Sequence, residues 1–102
     1  MKTKTELFAI QATLAKRNPW EYNITKTCEE LAELQEVLLK KLNKRGGVKE
    51  PSDQEVIDEI GDVQIRINVL QYLFGHQKVT KRVFDKLEKF SNYIETNKYN
   101  KI

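Results

Sequence analysis

Apolar residues in this chain recur at intervals of three and four, in four separate stretches, and no stretch alternates as a strand would. That period places them along one face of a helix, so the chain can bury them only by packing helix on helix. The first stretch runs from Lys4 to Arg17, with Leu7, Ile10, Gln11 and Leu14 on one face and Phe8, Ala12 and Ala15 beside it. Asn18-Pro19 ends it, because the residue before a proline is pushed out of helical geometry. The second runs from Ile24 to Leu42, with Ile24, Cys28, Leu31, Leu38 and Leu42 close to a heptad seam and Lys40 and Lys41 in the dipole-favoured last turn.

Residues 43–51, which include Gly46-Gly47, read as a connecting loop. Ser52 with Glu55 forms a capping box that opens the third helix, whose stripe is Val56, Ile60, Val63, Ile67, Leu70 and Phe74. Ile57, Ile65, Val69 and Leu73 widen that stripe, so this helix is expected to be buried on two sides. Gly75 is its stop, and His76 falls in the loop that follows. The fourth segment, Thr80 to Thr96, carries Val83, Phe84, Leu87, Phe90 and Ile94, and a frayed tail is expected at 97–102.

One domain spanning 1–102 fits the length, and so short a chain gains core by associating with copies of itself. Apolar residues at 39% and charged residues at 32%, with four Gly and two Pro, favour a helical globular protein over a disordered one. No apolar run has the length of a membrane span, and no signal peptide is read, so no membrane partner is expected. The single cysteine, Cys28, has no intrachain partner and fits a reducing cytoplasm; at a seam position it is expected to be buried as a small apolar residue.

The net charge of +3 conceals an asymmetry. Residues 21–62 hold 11 acidic and 6 basic side chains, whereas the rest holds 4 acidic and 12 basic. A nucleic-acid polymer would call for a basic stripe without a dense acidic centre. An acidic centre between basic segments suits a site holding a cation together with a polyanion.

Four carboxylates stand out in that centre. Glu30 and Glu33, and then Glu59 and Asp62, are spaced i, i+3, so each pair projects from one helix face about a turn apart. Two such faces brought together make an all-oxygen cage, the ligand set of a hard divalent cation such as Mg2+, with Mn2+ as a substitute. A lone Glu-x-x-Glu is ordinarily a solvated helix face; a second pair on a helix apolar on two sides changes that balance. Glu36 and Glu55 read as peripheral and Asp58 as undecided. A carboxylate-bridged di-iron bundle needs two Glu-x-x-His motifs, and His76 is the only histidine. Gly46-Gly47 lacks the ending of a phosphate-cradling loop.

Glu29-Glu30-Leu31-Ala32-Glu33, a gap of 25 residues and Glu59-Ile60-Gly61-Asp62, with Leu34 and Val63 as flanks, resemble the EExxE…ExxD signature of the all-α nucleoside triphosphate pyrophosphohydrolases. This is the MazG-like superfamily, which also holds dimeric dUTPases and dCTP-hydrolysing enzymes. The resemblance covers about residues 20–94. It implies a four-helix MazG-like bundle completed as a homodimer or homotetramer, and Mg2+-dependent hydrolysis of a nucleoside triphosphate to monophosphate and pyrophosphate. It also implies Glu30, Glu33, Glu59 and Asp62 as Mg2+ ligands, with Glu29 holding or deprotonating a water; Glu29 and Glu30 are thus the catalytic candidates.

Three further positions carry over as substrate-binding candidates. Trp20 matches an aromatic that helps form a base pocket in relatives, with packing of the first helix–helix turn as the competing reading. Lys86 resembles a late phosphate-contacting lysine, in competition with Lys78, Lys81, Arg82 and Lys89. Arg66 stands where some relatives have an aromatic, and an arginine there reaches toward phosphate. The rival to an enzyme is a non-catalytic helical dimerisation or nucleotide-binding module.

Overall fold

Two reciprocal capping boxes start helices in this chain. Thr3 Oγ1 accepts from the Glu6 amide while Glu6 accepts from the Thr3 amide, and Ser52 and Glu55 do the same. The computed structural model describes residues 1–43 and 49–96, with helices α1 (Lys4–Arg17), α2 (Trp20–Leu42), α3 (Asp53–Phe74) and α4 (His76–Thr96) and no strand among them. The glycine pair 46-47 and the expected frayed tail lie outside the described residues.

Two starts come earlier than the sequence predicts. α2 begins at Trp20 rather than Ile24, because Pro19 serves as N-cap, where it has no N–H to lose, and its carbonyl accepts from Asn23. α4 begins at His76 rather than Thr80. A single residue, Gly75 at φ 127°, turns the chain, and the Val79 amide already bonds to the Gly75 carbonyl. His76 is therefore the first residue of a helix, stacked on Tyr72 with ring centroids 5.3 Å apart.

α2 and α3 lie antiparallel. Lys41, near the end of α2, holds the start of α3 through Asp53 at 2.8 Å, the Pro51 carbonyl at 3.4 Å and Glu50 at 3.5 Å. The seam between them matches the predicted one only in part, Ile24 of α2 and three residues of the α3 stripe being half-buried. The residues of α2 at least half-buried along one stripe are Asn23, Thr27, Glu30, Leu34, Val37 and Lys41, one position before the predicted Ile24, Cys28, Leu31, Leu38 and Leu42. On α3, Val56, Val63 and Leu70 are half-buried as predicted, while Glu59, Arg66 and Leu73 are half-buried where Ile60, Ile67 and Phe74 were expected. One residue is a rotation of about 100°. Cys28 is consequently exposed, not buried.

α1 packs on α3 from the side that carries Gly61, Ile65 and Asn68. The interior joining the first three helices is largely polar. Among the described residues of these helices, Ala15 and Val69 are the buried apolar ones, accompanied by Gln11, Asn23 and Thr27. Gln11 donates to the Phe8 carbonyl (3.0 Å) and accepts from Asn68 Nδ2 (2.9 Å); Asn23 Nδ2 donates to the Ala15 carbonyl (3.4 Å), and Thr27 donates to the Asn23 carbonyl (2.7 Å). α4 does not cover an apolar face of the pair as expected. Its polar contacts with α3 gather at the turn, where Gln71 meets His76 and Thr80, and its apolar stripe is left exposed.

Candidate metal centre

Glu30 and Glu33 leave α2 one turn apart, and Glu59 leaves α3 opposite them. One carboxylate oxygen from each lies within 4.8 Å of the others. That spread is within reach of one hard cation, whose oxygen ligands sit at about 2.0–2.6 Å. Glu30 and Glu59 are half-buried because they occupy seam positions, and each has an Oε2 that is shut off from solvent and has no hydrogen-bond partner. Buried polar atoms are ordinarily paired, so two orphaned carboxylate oxygens at one place fit an acidic site waiting for a positive partner.

The electrostatics agree with the geometry. Burial pushes the Glu30 carboxyl above its usual range, and the charges of Glu33 and Asp62 push it further. Glu59 is raised chiefly by desolvation, then by Asp62, Glu30 and Asp58, with a hydrogen bond from Glu33 partly opposing the rise. Both shifts have one meaning: ionising these carboxylates is disfavoured here, first because they are desolvated and then because like charges crowd them.

The expected ligands thus divide. Glu30, Glu33 and Glu59 come together. Asp62 is exposed and stands outside that triad, yet near enough for its charge to act on both Glu30 and Glu59. Glu29 points a step around the helix and is ion-paired with Lys26 at 3.2 Å, outside the triad. Glu36 pairs with Lys40, Glu55 serves its capping box, and Asp58 accepts from Gln54.

No protein-family model, curated protein or solved structure compared with the chain matches it.

The three other candidate positions scatter. Arg66 lies on the same α3 seam as Glu59, two turns on; it is half-buried, and its Nη1 is enclosed without a hydrogen-bond partner. Trp20 is 59% exposed at the first turn of α2, about 15 Å along the helix from Glu30, so it stands apart from the triad. Lys86 is exposed on α4 with its ammonium 5.6 Å from the centre of the Phe90 ring.

Sequence reasoning missed a groove of about 560 Å3 between α1 and α3, walled by Leu7, Phe8, Leu14 and Ile65 and edged by the amides of Gln11 and Asn68. Gly61, between Glu59 and Asp62, lies along it with nothing within 4 Å of where a Cβ would stand. The available signal was the glycine inside an otherwise strong helical pattern, which marks a close approach or an open space.

Proposed function

We propose that this protein is a MazG-like nucleoside triphosphate pyrophosphohydrolase. It would use Mg2+ to cleave the α–β phosphoanhydride of a nucleotide, giving monophosphate and pyrophosphate. The observation that carries the reading is the triad of Glu30, Glu33 and Glu59 with two orphaned, enclosed carboxylate oxygens. An all-oxygen donor set of this charge fits Mg2+, and Glu30, Glu33 and Glu59 would hold it with Asp62 at the rim. When bound, the cation supplies charge neutralisation for the triphosphate and a lowered pKa for bound water.

The chain's own groups account for the other requirements. Arg66, with an unpaired Nη1 on the same seam as Glu59, is a candidate to hold a phosphate oxygen. The α1–α3 groove has the volume of a small-molecule site and offers apolar walls for a base with two amides at its edge. Glu29 would need to release Lys26 before orienting water. Trp20 and Lys86 stand apart from the triad within one chain, so a role for either rests on the proposed homodimer or homotetramer.

The test is pyrophosphate release from a panel of canonical and modified nucleoside triphosphates with Mg2+. Turnover of at least one nucleotide, abolished by EDTA, is expected. Glu59→Gln should retain helicity while metal affinity falls by more than the roughly 10-fold typical of outer-shell partners. Release of neither pyrophosphate nor phosphate from any nucleotide would hand the protein to the non-catalytic binding-module reading.

A further inference from the structure

The cations of the α2–α3 pair are spread unevenly about the triad. Toward the C-terminus of α2 each basic group has its own acid: Lys40 meets Glu36 at 2.9 Å, and Lys41 meets Asp53 at 2.8 Å and Glu50 at 3.5 Å. At the other end of the pair the acids run out. α2 carries only Glu21 before Glu29, and no acidic residue stands between Asp62 and the end of α3. Lys26 and Arg66 are the basic residues of that end.

Both lie beside the triad. Lys26 is one turn before Glu30 on α2, and its charge opposes the rise of the Glu30 carboxyl. Since Lys41 meets Asp53 and Glu30 meets Glu59, Lys26 stands opposite about residues 63–68 of the antiparallel helix, Arg66 among them. Arg66 keeps an enclosed Nη1 with no hydrogen-bond partner, so this end of the site lacks an acceptor. Lys26 is held differently. Its Nζ lies 3.2 Å from Glu29 Oε2, and that hydrogen bond, then the charge of the carboxylate, raises the lysine above its ordinary value. The two side chains are 36% and 55% exposed. An exposed i, i+3 pair is weak, about a factor of two in an equilibrium constant, so a multiply charged phosphate group placed alongside can take the ammonium from it.

We infer that Lys26 joins Arg66 in holding the phosphates, and that Glu29 keeps Lys26 in reserve until a phosphate takes it. Lys26 precedes the acidic motif, and the resemblance assigns it no role. The arrangement rests on the pyrophosphohydrolase reading above and gives the site a direction. A cation sits over Glu30, Glu33 and Glu59, and the phosphate chain it bridges runs toward the N-terminal half of α2, where the free positive charge is. The exchange has a second effect. Once the ammonium has moved to phosphate, the Glu29 carboxylate is released, so the group suited to hold a water becomes available only when phosphate is bound.

The test reads binding, not turnover: inorganic pyrophosphate with Mg2+ is titrated calorimetrically into the intact chain. Lys26→Gln should weaken pyrophosphate binding by about 10-fold or more, the loss expected for one charge-assisted hydrogen bond, while Mg2+ alone binds no worse and helical circular dichroism is retained. Lys26→Arg, which keeps the charge and its donors, should restore most of the affinity. Glu29→Gln frees the ammonium and should tighten pyrophosphate binding about twofold, a gain that vanishes when Lys26 is already Gln. The proposal is overturned if Lys26→Gln leaves pyrophosphate binding unchanged or costs Mg2+ affinity equally. It is also overturned if the gain from Glu29→Gln persists without Lys26, or if the parent chain binds no pyrophosphate. A chain that binds pyrophosphate through Lys26 yet hydrolyses no nucleotide would uphold this assignment and remove only the enzyme reading.

Discussion

Replacing Glu30 with Gln removes one charge from a triad whose oxygens lie within 4.8 Å of each other, without changing side-chain size. Two unit charges at that separation repel by about 0.9 kcal/mol in water and by about 3.5 kcal/mol at an effective dielectric of 20. Glu30 is only half-buried, so solvent screening places the net relief near the lower figure, about 1 kcal/mol. For a domain of this size that raises the melting temperature by about 4–8 °C in EDTA. Addition of magnesium should invert the order. A site with a dissociation constant of about 0.1 mM is stabilised by about 2.7 kcal/mol at roughly 10 mM Mg2+. The variant has lost a ligand and should gain much less. The assay is a pair of thermal melts, in EDTA and in MgCl2, for both proteins at matched concentration, since association also moves the midpoint. If Glu30→Gln melts no higher than the parent in EDTA, and both gain equally from magnesium, the carboxylates are neither crowded nor cation ligands.

The same crowding predicts a pH signature. Glu30 and Glu59 are both raised above 4.5 in the folded chain, so in the absence of metal they favour folding fully below that pH. That contribution is lost as pH rises through their folded values. The Tm advantage of a Glu30→Gln, Glu59→Gln double variant over the parent in EDTA should therefore be small near pH 4.5 and widen toward neutrality; an advantage independent of pH would refute the cause. Gly75→Ala should lower stability by more than about 1 kcal/mol, because φ is 127° there and the added Cβ would meet Lys78 Cδ at 3.3 Å. An unchanged melt would show that the α3–α4 turn relaxes freely.

Helix number and type were legible because period and caps are local: Ser52 and Glu55, Thr3 and Glu6, and the Asn18-Pro19 break need no tertiary information. The facing of the helices was not. Hydrophobicity pointed to Leu31, Leu38, Ile60 and Ile67 as part of the seam, yet those are exposed, and within one chain Asn23, Thr27, Glu30, Glu59 and Arg66 share the seam with Leu34, Val37, Val63 and Leu70. The polar members of a seam are invisible to a pattern that scores apolar residues, and the apolar residues they displace are left exposed. The site fared better than the packing, since i, i+3 spacing already brings Glu30 and Glu33 onto one face. Asp62 and Glu29 show the limit: each shares a motif with the triad, and neither shares its location.

That Ala15 and Val69 are the fully buried apolar side chains among the described residues of the helices has a calorimetric consequence. The heat capacity of unfolding grows with apolar surface exposed, and an ordinary chain of about 100 residues shows about 1.2–1.5 kcal/mol/K. A separate copy of this chain, with amides where a hydrocarbon interior would be, should fall well short of that and have a shallow stability curve. In the proposed homodimer or homotetramer the missing heat capacity would appear on association, and titration calorimetry of dilution at two temperatures would measure it.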